Sequence, residues 1–302
     1  MKKIKVLIIG PVPPPSGGVS VHIARLLDKS NSQQEFEVAV ADIRKLKMFS
    51  SQGKIPVLDA IAFFMSCTVV HVHSSGILRS ATLAIARLAG KKTMVSVHNR
   101  REKNIIHADR IVNVFGEDAI PAYIPPPAPV QRINIVHGLI VTAVSASGKI
   151  NADIYGVALL MDAIADLANE RAVGLHIVDT TGQSEHIFLL KLTRLKAAGV
   201  TVKYTKGEVP DLLSKASVFV RATTTDGDSI MVREALEAGI PVVASDCVER
   251  PPGCILFRSG DRTSLRESLV QAFDKHPDPI PQQDFFIKIF QEWRLLAGGD
   301  NH

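Results

Sequence analysis

Short apolar runs alternate with longer segments of helical spacing along nearly the whole chain. Residues 4–9 form a continuous apolar run, the pattern of a strand buried on both faces of a parallel sheet. A Pro/Gly loop follows at 10–18, then helical spacing over 19–27. The same alternation predicts strands at 36–41, 68–72, 93–97, 110–114 and 122–124, with helices at 57–65 and 81–89. The run Pro125-Pro126-Pro127-Ala128-Pro129 interrupts it, because consecutive prolines fit neither a helix nor a central strand. Beyond it the alternation restarts, with strands at 139–143, 173–178, 200–204, 218–220, 241–245 and 254–257. Helices are expected at 157–168, 188–198, 209–214, 229–238, 264–273 and 285–296. Two such runs around a proline linker predict an α/β protein of two Rossmann-like domains. The expected boundaries are 1–129, 130–280, and a closing helical segment at 281–302 that crosses back to the first domain. Ligands then belong at the carboxyl ends of the strands, in a cleft between the domains.

Composition narrows the function. Thirty-five basic against 30 acidic residues give a formal net charge of +5, with no long basic run and no reading-helix motif, so a nucleic-acid partner is not expected. The excess leaves room for weak, salt-sensitive contact of the first domain with an anionic membrane. Cys67, Cys247 and Cys254 form no CxxC pair, which argues against a disulfide framework or a zinc knuckle. No stretch approaches the roughly 20 apolar residues of a membrane span, and the apolar run at 6–9 is too short for a signal peptide. The expected location is cytoplasmic.

Three segments carry candidate chemistry. Gly17 and Gly18 end the first strand-to-helix loop, where a missing Cβ lets backbone approach a ligand and the helix start offers N–H groups to phosphate. A tight turn needing glycine for steric reasons alone is the other reading. Asp226 and Glu234 lie eight apart, in a loop and about two turns into the helix behind it, so both can face one ligand. Asp228 or Ser229 can cap that helix, whose first N–H groups, around Ser229 and Ile230, suit a phosphate; equally, the acids can be caps and Glu234 a solvated residue. His71 and His73 share one strand face and His98 closes the next strand. A hydrogen-bonded core pair is a commoner fate for the first two than a metal site.

In this order, these residues resemble family-4 (group 1) glycosyltransferases of the GT-B superfamily. The resemblance rests on Gly17-Gly18, His98, Ala108-Asp109-Arg110-Ile111, Ile120-Pro121-Ala122-Tyr123-Ile124-Pro125-Pro126, the Asp226…Glu234 pair, and above all the block Glu234-Ala235-Leu236-Glu237-Ala238-Gly239-Ile240-Pro241-Val242-Val243-Ala244-Ser245-Asp246. It implies two Rossmann-like domains facing each other across a cleft. It also implies retaining, metal-independent transfer of a sugar from a UDP- or GDP-linked donor to a glycan or lipid-linked envelope acceptor, with no further cofactor. Glu234 would hold the donor ribose, Asp226 the sugar hydroxyls, His98 the sugar near the leaving group, and Gly17 and Gly18 the diphosphate.

The sequence departs from the family in three respects. The first acid is Asp226 rather than Glu. The Arg and Lys expected after the first strand of the second domain are absent, and Tyr155 stands where the Lys belongs. Lys149 and Arg233 are the cations left to offset the diphosphate. The first domain is short. A catalytically silent GT-B-like binding or partner subunit is therefore the alternative reading, with another two-Rossmann enzyme such as a nucleotide-sugar epimerase behind it.

Overall fold

The structure, a computed structural model, describes residues 3–14, 17–98, 108–114, 118–145, 153–182, 185–206 and 210–298. Contacts divide the chain into Met1–Ile124 with Gln283–His302, and Pro125–Gln282. The break falls at the first residue of the proline run.

In the first unit the apolar runs form β1 (Ile4–Ile9), β2 (Phe36–Asp42), β5 (Val69–Val72), β6 (Lys92–Val97) and β7 (Arg110–Asn113), with β3 (Lys47–Ser50) and β4 (Gly53–Ile55) at one edge. The sheet order is β4-β3-β2-β1-β5-β6-β7. Pairing is parallel from β2 through β7, whereas β2–β3 and β3–β4 are antiparallel. The expected parallel sheet is present, and the sequence reading did not anticipate the antiparallel pair at its edge, where a turn at Ser51–Gln52 leads into Gly53 at φ 116°. Helices α1 (Gly18–Asn31), α2 (Val57–Ser66) and α3 (Gly76–Leu88) connect the strands.

Residues 122–124 are not a strand. Pro121 and Pro125 flank them without N–H donors, and their carbonyls serve α1 instead: His22 Nδ1 donates to Ala122 O at 2.6 Å and Arg25 Nη1 to Ile124 O at 2.8 Å. The last helix, here α9 (Phe286–Leu296), packs Phe286, Ile289, Phe290 and Trp293 into the core beside Ile23 and Leu26 of α1, so both helices cover one face of this sheet. Leu83 and Ala86 of α3, with Ala60, Phe63 and Phe64 of α2, cover the other face.

In the second unit β8 (Leu139–Val144), β9 (Gly174–Asp179), β10 (Thr201–Lys206), β11 (Val218–Arg221), β12 (Val242–Ser245) and β13 (Ile255–Phe257) form a wholly parallel sheet ordered β10-β9-β8-β11-β12-β13. The connecting helices are α4 (Val157–Leu167), α5 (Glu185–Ala197), α6 (Pro210–Leu213), α7 (Ile230–Glu237) and α8 (Arg262–Phe273). The order reverses between β8 and β11. A doubly wound sheet opens a ligand crevice at the strand carboxyl ends where its order reverses.

Candidate functional site

At that reversal β11 ends in an arginine. Val218, Phe219 and Val220 are fully buried, and Arg221, closing the same strand, is only 9% exposed. Its guanidinium grips Asp226 bidentately, Nε to Oδ2 at 2.9 Å and Nη2 to Oδ1 at 2.8 Å. A second arginine arrives from the loop after β12: Arg250 Nη1 donates to Asp226 Oδ2 at 2.8 Å, and its side chain is 2% exposed. Arg250 is anchored further by Nε to Ser245 O and Nη2 to Thr223 Oγ1, both at 3.0 Å. Thr223 Oγ1 and the Gly227 N–H complete the carboxylate's donors. Burial alone would raise the Asp226 carboxyl; the charges and hydrogen bonds of Arg221 and Arg250 outweigh it and hold the group well below the usual carboxylate range. Burial likewise opposes the charge on Arg221, and Asp226 overturns that effect. Two guanidiniums against one carboxylate leave this trio with a net charge of +1.

The guanidinium of Arg221 also lies over the Tyr155 ring, 5.1 Å from its centroid. Tyr155, where the resemblance called for a lysine, thus supports a cation supplied by another strand. Arg233 is engaged by Asp228, Nε to Oδ1 at 2.7 Å, and is not a solvent-facing residue. Ser229 is the N-cap of α7 and makes no side-chain capping bond, while Ile230 opens the helix and Glu234 lies within it, 3% exposed. Lys149 lies outside the described residues. Asp226, Asp228, Ser229, Ile230, Arg233 and Glu234 thus gather at one end of one sheet. The partners of Asp226, however, are two arginines rather than an open face for sugar hydroxyls. Sequence reasoning missed Arg221 and Arg250; the available signal was a charged residue closing an otherwise apolar strand.

The remaining site residues belong to the first unit. Gly17 is the N-cap of α1, its N–H bonded to Ser20 Oγ at 2.9 Å. A Cβ added at Gly18 would meet no described atom within 4 Å, and its φ is not left-handed, so the surrounding fold does not itself demand glycine there. His98, at the end of β6, pairs through Nε2 with His73 Nδ1 at 2.8 Å. His22 of α1 stands edge-on, 5.7 Å from the His98 ring centre. Trp293 Nε1 donates to His71 Nδ1 at 3.2 Å; that nitrogen must therefore accept, which leaves His71 Nε2–H to donate to Ser96 Oγ at 2.8 Å. His71 and His73 are therefore hydrogen-bonded core residues, and among the described residues no group of three His, Cys, Asp or Glu could hold a metal ion. Burial, then the neighbouring His22, lowers His98 to about 3; burial lowers His22 to about 4, against the opposing bond to Ala122. The rings are neutral at pH 7.

The fold is that of two Rossmann-like α/β domains, and the solved structures it resembles include glycosyltransferases. The structure resembles sucrose-phosphate synthase from Thermosynechococcus elongatus (TM-score 0.63, 11% identity, covering 98% of this chain and 100% of that one). It also resembles a glycosyltransferase from Rickettsia africae (0.60, 13%, 98% and 94%) and Anabaena HepE in complex with UDP (0.58, 13%, 99% and 100%). Residues 142–275, all within the second unit, match the family model described as Glycosyl transferases group 1, and the group 1 resemblance read from the sequence holds there. No curated protein matches the sequence.

Proposed function

We propose that the protein is a retaining glycosyltransferase that takes a sugar from a UDP- or GDP-linked donor to a glycan or lipid-linked envelope acceptor. The observation that carries the reading is the Arg221–Asp226–Arg250 network at the strand carboxyl ends beside the start of α7. Transfer breaks the bond between the anomeric carbon and the diphosphate, so negative charge gathers on the departing group. A preorganised cation and helix N–H groups stabilise such charge without reorganising at the moment of reaction. The surplus positive charge of the arginine pair and the N–H groups of Ser229 and Ile230 fill that role. They offset the diphosphate without Lys149 and without a metal. In this reading Asp226 positions the two guanidiniums, and Glu234 accepts from the donor ribose. In the first unit, with the Gly17 N–H taken by Ser20 Oγ, the open backbone at Gly18 lets an anion approach the start of α1, and neutral His98 hydrogen-bonds a sugar hydroxyl. HepE's complex with UDP supports the choice of donor class.

One observation favours a silent binding subunit instead: both oxygens of Asp226 are already engaged. Calorimetry with UDP, GDP and the parent nucleosides, together with release of nucleoside diphosphate from a panel of nucleotide sugars, tests both readings. Arg221→Gln should weaken nucleoside diphosphate about 10–150-fold, the range for a charged hydrogen bond, and leave the nucleoside unchanged. Glu234→Gln should weaken both. Equal loss of the two ligands in Arg221→Gln refutes the phosphate role, and binding without turnover on any donor supports the silent subunit.

A further inference from the structure

Two side-chain rungs of the same 25-residue separation cross between the neighbouring parallel strands β5 and β6: His71 Nε2 to Ser96 Oγ and His73 Nδ1 to His98 Nε2, each 2.8 Å. The second rung lies just past the carboxyl ends of both strands. His73 is buried there, whereas His98 is half-buried. The His73 backbone N–H donates to Ile9 O at 2.8 Å. Gly10 leaves room for its side chain, because a Cβ at that position would sit 3.1 Å from His73 Cβ and 2.4 Å from Ile23 Cδ1. The His73 ring packs against those of His71 and His22, with 4.1 and 5.3 Å between centres, which hold it facing His98.

This geometry places the protons. Burial keeps both rings neutral at pH 7, so each carries one proton, and in a bond between two ring nitrogens one donates and the other accepts. His73 Nε2 is buried and has no hydrogen-bond partner among the described residues. A proton there would be an N–H donor sealed away from any acceptor, whereas a bare lone pair is the commoner of the two defects. His73 therefore carries its proton on Nδ1 and donates it to His98 Nε2. That nitrogen of His98 can then only accept, and the His98 proton resides on Nδ1. We propose that His73 is a positioning residue that fixes His98 as its Nδ1–H tautomer, so that His98 meets its ligand as a hydrogen-bond donor. A donor pairs with an acceptor oxygen of a sugar, whereas the opposite tautomer would require a proton from the ligand. The consequence for transfer rests on the reading of His98 as a sugar contact; the tautomer itself does not.

Long-range proton–nitrogen NMR of the full chain, labelled with nitrogen-15 histidine and held at pH 7, reads the tautomers directly. His98→Gln and His73→Asn assign the two rings by the signals they remove. Both His73 and His98 should show a protonated Nδ1 and a bare Nε2. In His73→Leu, which has no donor, the His98 signals should shift towards those of two exchanging tautomers. In His73→Asn, whose amide N–H can stand in for Nδ1–H, they should keep the wild-type pattern. With a nucleotide sugar that is turned over, His73→Leu should lower kcat about 10–100-fold, the range for losing the outer partner that orients a metal-binding histidine, and His73→Asn should recover most of the loss. Added to His98→Gln, His73→Leu should cost no further activity, a coupling that a merely structural role would not produce. The proposal is overturned if wild-type His98 carries its proton on Nε2, a result that needs no variant to fold. It is overturned equally if the His98 pattern is unchanged in His73→Leu, or if the two activity losses multiply. A chain that turns over no donor counts against the transferase reading, while the wild-type spectrum still decides the tautomer.

Discussion

Asp226 is held by four partners, the buried guanidiniums of Arg221 and Arg250, Thr223 Oγ1 and the Gly227 N–H. Removing one member of a buried charge cluster costs more than the cluster contributes as a whole, because the others stay desolvated and unpaired. Asp226→Asn should therefore lower the stability of the second unit by about 3–5 kcal/mol, read as a reduced urea midpoint in far-UV circular dichroism. The carboxyl's native pKa lies below its unfolded value of 3.8, so its contribution is fully present above that value and is lost as pH falls beneath it. Wild type and variant should converge in strong acid. An Asp226→Asn protein as stable as the wild type at pH 7 would mean that solvent, not Asp226, balances the arginines.

At the scale of elements, α4 is set against the end of β11 by one residue. Gly156, its N-cap, has φ +62°, and a Cβ there would sit 1.9 Å from Ala222 O. Thr224 N–H donates to Ile154 O at 2.8 Å beside it, so the turn before α4 and the loop carrying Asp226 are fixed to each other. Gly156→Ala should cost about 2–5 kcal/mol, combining the left-handed backbone with the clash, and should weaken nucleoside diphosphate binding as the loop shifts. Gly90→Ala is the control: φ is +69° but open space surrounds the new Cβ, so only about 1–2 kcal/mol is expected. Equal costs in thermal melts would remove the steric argument. The elements themselves were largely legible, because β1, β5, β11 and β12 are short buried runs with the signature of a parallel sheet. The β3–β4 hairpin was not: Lys47, Ser50 and Lys54 break its apolar pattern at an exposed edge. Residues 122–124 misled for the opposite reason, being apolar and buried while their carbonyls bond to side chains. In the site, the acidic pair stood out because its spacing is local. Arg250 did not, because it meets Asp226 from 24 residues away only once β11 and β12 pair.

At the scale of the whole molecule, the two units should differ in their response to acid. The first holds four histidines with lowered pKa values, His22, His71, His73 and His98; among the described residues the second holds one, His176. Burial is the leading cause in each, and their mutual repulsion together with Arg25 beside His22 reinforces it. A histidine whose native pKa is below its unfolded 6.5 takes up its proton in the unfolded chain first. Stability is therefore unaffected above about pH 6.5, falls as pH drops below it, and levels off near the native value, about 4 for His22 and about 3 for His98. Each pH unit in that window costs about 1.4 kcal/mol per group, so His22 alone removes about 2 kcal/mol by pH 5. The chain's single tryptophan is Trp293, which donates to His71 and lies in the core of the first unit, so its fluorescence reports that unit and that cluster. Between pH 7 and pH 5 the denaturant midpoint followed by Trp293 should fall well ahead of the last part of the far-UV transition, which belongs to the second unit. His22→Gln removes the proton uptake at one position and should flatten the pH dependence of the Trp293 midpoint by about 2 kcal/mol over the same interval, whatever it does to stability at pH 7. A Trp293 midpoint that does not move between pH 7 and pH 5 would show that the buried histidines exchange protons freely in the native state.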